Sequence, residues 1–177
     1  MLRVRIPAGQ ISVEQAAKIG VVSQQYGEDY IDITTRQQIE LRYIKLEHLA
    51  IVLKELESVG VTSFQTGVDN FRNIVTSAFE GLGSRNIVDV KPLIDQMQSI
   101  FMHKEEWIGT LPRKFNTAIL GTSMNDCNIY GHDCCFIVAK KNETLGFNLY
   151  LGGRVGIQAK DTGLFIRPDE VTKTFEA

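Results

Sequence analysis

The chain has 177 residues, of which 44% are hydrophobic and 23% charged, with a formal net charge of −2. That length can bury a substantial core and suffices for one large domain or two small ones. Lys+Arg (19) do not outnumber Asp+Glu (21), which argues against a general nucleic-acid binder. No apolar run reaches the length of a membrane span, and "MLRVRIPAGQ" lacks the apolar core of a signal peptide. The expectation is a cytoplasmic protein with neither nucleic acid nor membrane as partner.

The first third reads as strand, helix, strands, helix. "LRVRIP" alternates Leu2, Val4 and Ile6 against Arg3 and Arg5, as a half-buried strand does. "SVEQ" fits a capping box with Ser12 as N-cap and Gln15 at N3, and predicts a helix to about Tyr26 that Gly27 can end. "DYIDITTRQQIELRYI" (29–44) is rich in β-branched and aromatic residues and predicts a long strand or a hairpin. Leu46, Leu49, Leu53 and Leu56 then fall at helical spacing, with Gly60 as the stop, before a short extended "VTSFQTG". This order suits an α+β layer with helices on one face of a sheet.

From Asp69 the texture changes, and a domain boundary is expected near residue 66. "DNFRNIVTSAFEGLGSRN" predicts a short helix capped by Asp69 or Asn70, with Arg72 in its first turn, followed by a loop. An arginine there opposes the positive helix end, which hints at a nearby anion. "KPLIDQMQSIFMHK" predicts a helix starting at Pro92, with Leu93, Met97, Ile100 and Phe101 along one side. "FNTAILGT", "CCFIVAKK" and "GFNLYLGG" predict strands, and "RPDEVTKTFEA" a last helix with Pro168 at its start.

Three cysteines, bunched in "CNIYGHDCC" with His132 among them, are no disulfide framework. The chain has no C-x-x-C, so the thiols are expected to be structural and reduced, with no metal site. Strand alternation would point one of Cys134 and Cys135 inward and the other outward.

Cations gather where elements meet loops. In "TTRQQIELR", period-two alternation puts Arg36, Gln38 and Arg42 on one face, where two guanidiniums and an amide would suit a poly-carboxylate ligand. A solvated face with Glu40 partnering Arg42 explains the same pattern. In "LPRKFN", Lys114 and Asn116 would point one way and Arg113 and Phe115 the other. "LGGRVG" adds a glycine-flanked Arg154, which also fits a plain tight turn.

Taken in order, "MLRVRIPAG", "DITTRQQIELR", "TGVDNFRNIV", "LPRKFN" and "GFNLYLGGRVG" closely resemble the first half of the sirohaem-dependent nitrite and sulfite reductases, across residues 1 to about 171. The resemblance implies an α+β fold: a ferredoxin-like half-module (βαββα) over 1–65, then an α/β sirohaem-binding-type module over 66–177. It implies that Arg36, Arg72 and Lys114 are substrate-anion residues, with Asn116 beside them, and that Gln38, Arg113 and Arg154 are candidate contacts to the macrocycle's carboxylates. Sulfite-type members tend to carry a second lysine where Asn116 stands, so "RKFN" favours nitrite.

The implied cofactors are sirohaem and a [4Fe-4S] cluster in the complete enzyme, whose four cluster cysteines lie in a second half that Cys127, Cys134 and Cys135 do not match. The implied partners are nitrite or sulfite, an electron donor such as ferredoxin or a reductase subunit, and a missing C-terminal half or second subunit. The chain would then be a fragment, or one half of a split or dimeric enzyme, and inactive alone. The alternative is a non-catalytic tetrapyrrole-binding or assembly module, or a corrin-pathway relative on the same scaffold.

Overall fold

The computed structural model describes all 177 residues. In the first third, β1 (Leu2–Val4), α1 (Val13–Tyr26), β2 (Ile31–Ile33), β3 (Ile39–Leu41) and α2 (Leu49–Glu57) follow one another in the βαββα order. The three strands pair antiparallel in the order β1-β3-β2. A single bridge from Arg5 to Thr62 brings the chain after α2 back along the free side of β1. Val4, Ile19, Val22, Leu41, Val52 and Leu56 bury one core between this sheet and its helices.

Local chemistry explains the helix ends. Ser12 Oγ accepts from the Gln15 N–H at 3.1 Å while Gln15 Oε1 accepts from the Ser12 N–H, so the capping box closes at both ends. Gly27 terminates α1, and Gly60, at φ +71°, follows α2. The buried stripe of α2 is Val52 and Leu56; Leu46 is 85% exposed on a preceding 3₁₀ turn, so the four-leucine stripe does not form. Arg5, expected opposite the apolar side of β1, is only 3% exposed because the second part of the chain covers that face.

The helix expected from Asn70 is absent. After a bend that ends at Asn70, residues 71–75 run parallel to β4 (Thr117–Leu120) and the residues before it, through bridges Phe71–Phe115 and Val75–Ala118. The Arg72 N–H donates to the Phe115 carbonyl at 2.8 Å and the Val75 N–H to the Thr117 carbonyl at 3.1 Å. Non-local pairing overrides the local cap signal here. The Asn70 side chain instead binds the Gly67 carbonyl and accepts from the Gly109 N–H.

Beyond it lies a four-stranded sheet, β4, β5 (Cys134–Lys141), β6 (Thr144–Leu151) and β7 (Lys160–Ile166), in sequence order; β4 and β5 are parallel and the rest antiparallel. α3 (Lys91–Phe101) and α4 (Val171–Glu176) cover one face, burying Ile94, Met97, Phe101, Ile119, Phe136, Phe147 and Val171. A smaller core on the other face holds Val75, Ala118, Leu120, Ile129 and Cys135. Both faces are therefore covered at the start of β5. Cys134 and Cys135 point to opposite faces yet are 5% and 0% exposed, so neither thiol is outward. No helix is long and apolar enough to cross a membrane.

Candidate functional site

The hairpin between β2 and β3 turns at Thr34–Gln37, with Gln37 at φ +54° and the Gln37 N–H donating to the Thr34 carbonyl at 2.9 Å. Arg36 rides on that turn, so the period-two face of Arg36, Gln38 and Arg42 does not exist. Arg42 lies past β3, pairing with Asp32 and, at 3.0 Å, with Glu40. Gln38 is 1% exposed, has no partner for Nε2, and lines a separate groove of about 630 Å³ with Ile6, Ile33 and Glu80.

Residues 111–115 precede β4 and are irregular, so alternation fails there too. Arg113 and Lys114 both reach one groove of about 270 Å³, while Phe115 packs into the helix-side core against Phe71. Arg36, Arg113, Lys114, Asn116 and Arg154 line that groove, with Thr35, Asn128 and His132. No carboxylate is among the lining residues. Five of the seven expected positions thus meet at one place, contributed by three separate stretches of chain, with a fourth, 127–132, completing the lining.

Three of the groove's cations lack a carboxylate. Lys114 and Arg154 make no ion pair and are exposed; Arg36 is half-buried and also unpaired. Burial, with help from Arg3, depresses the Arg36 pKa. Arg113 is paired with Asp133, which is 6% exposed and also accepts from Asn116 through its backbone N–H at 2.8 Å and its side-chain amide at 2.9 Å. Asn116 is therefore a strut at the mouth of β4. Burial pushes the His132 pKa down, against weaker opposing hydrogen bonds, so its imidazole is neutral at pH 7.

Arg72 lies outside the groove lining. It is 8% exposed, and its guanidinium donates to the carbonyls of Thr66 and, at 2.7 Å, Val68. Desolvation lowers its pKa, and Arg36 and Arg3 lower it further, which places all three within electrostatic reach of one another. Arg3 was missed by sequence reasoning, because strand alternation presents it as an ordinary polar-face residue. Its Nε donates to Glu40 at 2.9 Å. Arg154 sits in the tight turn expected of its glycines, with reciprocal backbone bonds to Ile157 and Gly156 at φ +80°.

The donor set does not suit an iron–sulfur cluster, which takes four thiolates. The chain has three cysteines, and burial pushes Cys127 and Cys135 up to about 12 and Cys134 higher still. No group of three or more His, Cys, Asp or Glu side chains converges. The groove itself suits a ligand bearing several negative charges, because unpaired guanidiniums bind carboxylates through parallel hydrogen bonds.

Comparison with known proteins decides the family. Residues 1–59 match the nitrite/sulfite reductase ferredoxin-like half domain, and residues 67–177 the nitrite and sulphite reductase 4Fe-4S domain. The chain belongs to the nitrite and sulfite reductase family. Within it, the chain is 38% identical over 157 residues to the ferredoxin–nitrite reductase of Leptolyngbya laminosa, which covers 86% of this chain and 31% of that protein. It is 36% identical to the chloroplastic ferredoxin–nitrite reductase of Spinacia oleracea, across 89% of this chain and 27% of that protein. The chain thus spans about a third or less of these relatives.

Among solved structures, the Mycobacterium tuberculosis NirA protein superposes with a TM-score of 0.92 at 25% identity, covering 98% of this chain and 32% of that one. A dissimilatory sulfite reductase I shares the fold, with a TM-score of 0.68 at 15% identity over 79% of this chain. The expected α+β class and the expected family are both borne out.

Proposed function

We propose that this chain is the N-terminal part of a sirohaem and [4Fe-4S] nitrite or sulfite reductase, with nitrite favoured, and that its groove forms the cationic wall holding substrate anion and cofactor carboxylates. The observation that carries this reading is four cations and no carboxylate lining one groove in a chain of net charge −2. Nitrite as substrate and ferredoxin as electron donor are supported by relatives named ferredoxin–nitrite reductase. Asn116, where a second lysine would add charge, points the same way. The division into domains at 65/66 is part of the proposal, supported by one apolar core drawn wholly from residues up to Val61 and a second drawn, Ala8 apart, from residues beyond the boundary.

A pocket that encloses a whole drug-sized ligand has a volume of about 300–1,000 Å³. At about 270 Å³ this groove supplies one wall, the rest of a complete site coming from further protein. Arg36, Arg113 and Arg154 would hold carboxylates of a bound sirohaem, and Lys114 the substrate anion. When bound, sirohaem supplies the iron that delivers electrons to the substrate.

The chain's own residues handle charge and protons. Cations already aimed at the groove stabilise an anion without reorganising during reaction. A nitrite oxygen needs two protons to leave as water when its N–O bond breaks; the Lys114 ammonium can hand over one, solvent the other, and the lysine is reprotonated from solvent. Asp133 fixes Arg113 and Asn116 at the mouth of β4, so that Lys114 leaves a defined strand start. Arg72, bound to backbone carbonyls, adds positive potential from behind the groove.

The test uses Lys114→Met in the complete enzyme, supplied with sirohaem and a low-potential donor. Turnover of nitrite should fall by about 10²-fold or more, the scale of a lost general acid, while the urea unfolding midpoint stays unchanged. Normal turnover would remove Lys114 from the chemistry. Porphyrin binding that persists with no turnover in the complete protein would instead favour the non-catalytic tetrapyrrole module.

A further inference from the structure

Arg36 comes from the first third of the chain and Lys114 from the second part, so something must fix one against the other. The extended segment 70–76 lies between them. On one side it pairs with the residues around β4 through the Arg72, Val75 and Ile119 backbone N–H groups. On the other side it meets the 34–37 turn through two side chains that do not line the groove.

Gln37 is the first. Its Nε2 donates to the Thr76 carbonyl at 2.7 Å, and its Oε1 accepts from the Thr76 N–H at 3.1 Å. A side-chain amide here takes the place of a neighbouring strand, satisfying both backbone groups of one residue. Gly9 makes room for it: a Cβ there would lie 3.0 Å from the Gln37 Cβ, and the backbone at Gly9, φ +68°, also favours glycine. Asn73 is the second. It is 0% exposed, and its amide donates to the carbonyls of Ile6 at 2.7 Å and of Arg36 at 3.0 Å.

We propose that Gln37 and Asn73 are positioning residues that clasp the Arg36 turn to the 70–76 segment and so set the place of Arg36 in the cationic groove relative to Lys114. The inference rests on the anion-wall reading above. Neither residue touches the anion. Each acts by restricting where the Arg36 guanidinium is before ligand arrives, which removes ordering cost from binding.

The test titrates the chain with uroporphyrin I, a porphyrin ring carrying many carboxylates, by fluorescence quenching. Gln37→Asn is the first variant: asparagine tolerates positive φ and keeps an amide, but is one methylene too short to span to Thr76. It should bind about three- to tenfold more weakly, the scale of one newly mobile side chain, with Thr76 N–H exchange accelerated. Arg36→Ala alone should also weaken binding. The deciding arm is Gln37→Asn in the Arg36→Ala background, where the Gln37 effect should vanish because the side chain it orients is gone.

Equal weakening by Gln37→Asn in both backgrounds would assign Gln37 a general structural role and overturn the clasp. So would unchanged binding in the single Gln37 variant while Arg36→Ala weakens it. Gln37→Ala, read in the same cycle, serves if the asparagine variant does not fold. If the unaltered chain shows no Arg36-dependent porphyrin binding, the anion wall fails, and the clasp falls with it.

Discussion

His132 lies in the groove among cations yet carries no charge of its own at neutral pH. Burial outweighs the carbonyl contacts that would favour its protonated form, and Arg36 disfavours that form too. The folded pKa is below the ordinary 6.5, so as pH falls the unfolded chain takes up this proton first. Stability from neutral His132 is fully present above about 6.5 and is lost as pH drops through the depressed folded value. His132→Gln should remove this component: between pH 7 and pH 5 the urea midpoint of the unaltered chain should fall further than that of the variant. Parallel pH profiles would mean that His132 titrates alike in both states. The imidazole was legible in the sequence only as a neighbour of cysteines. Its loop packs it beside Arg36, which lies far away along the chain, and no spacing rule reports that.

At the level of elements, the signals that held are those a residue exchanges with near neighbours. Ser12 and Gln15 close a capping box within one turn, and Pro92 and Pro168 mark element starts, so α1, α3 and the turn leading into α4 were legible. The 70–75 segment failed because the same asparagine and aspartate that cap helices also close loops, and its partner β4 lies some forty residues on. β7 was missed because Gly163, at φ +73°, and its exposed first residues dilute the pattern of an edge strand. Pairing with β4 also makes the 70–75 segment sensitive to loss of a donor. Val75→Pro removes the N–H that reaches Thr117 and leaves that buried carbonyl short of a partner. A loss of about 1–3 kcal/mol in urea-measured stability is expected, with porphyrin binding weakened alongside. An unchanged midpoint would show that the segment is not held by that ladder.

Across the whole molecule, the cations at the groove sit in a chain whose net charge is −2, so the remainder is acidic and the positive potential is local. Five ordered motifs marked the family and carried all seven candidate positions, five of which line the groove, but convergence depends on how 34–37, 70–76 and 111–116 stack, which no single motif encodes. Local potential makes a distinctive demand on salt dependence. Screening shortens from about 10 Å at 0.1 M salt to about 3 Å at 1 M, so uroporphyrin I should bind on the order of tenfold more weakly across that range. Lys114→Met should make the dependence shallower, since one groove cation no longer takes part. Lys173→Met, which removes an exposed charge on α4 away from the groove lining, should leave both affinity and slope as they were. If the two lysine variants change the slope equally, the porphyrin is responding to overall charge, and the cations at the groove have no special claim on it.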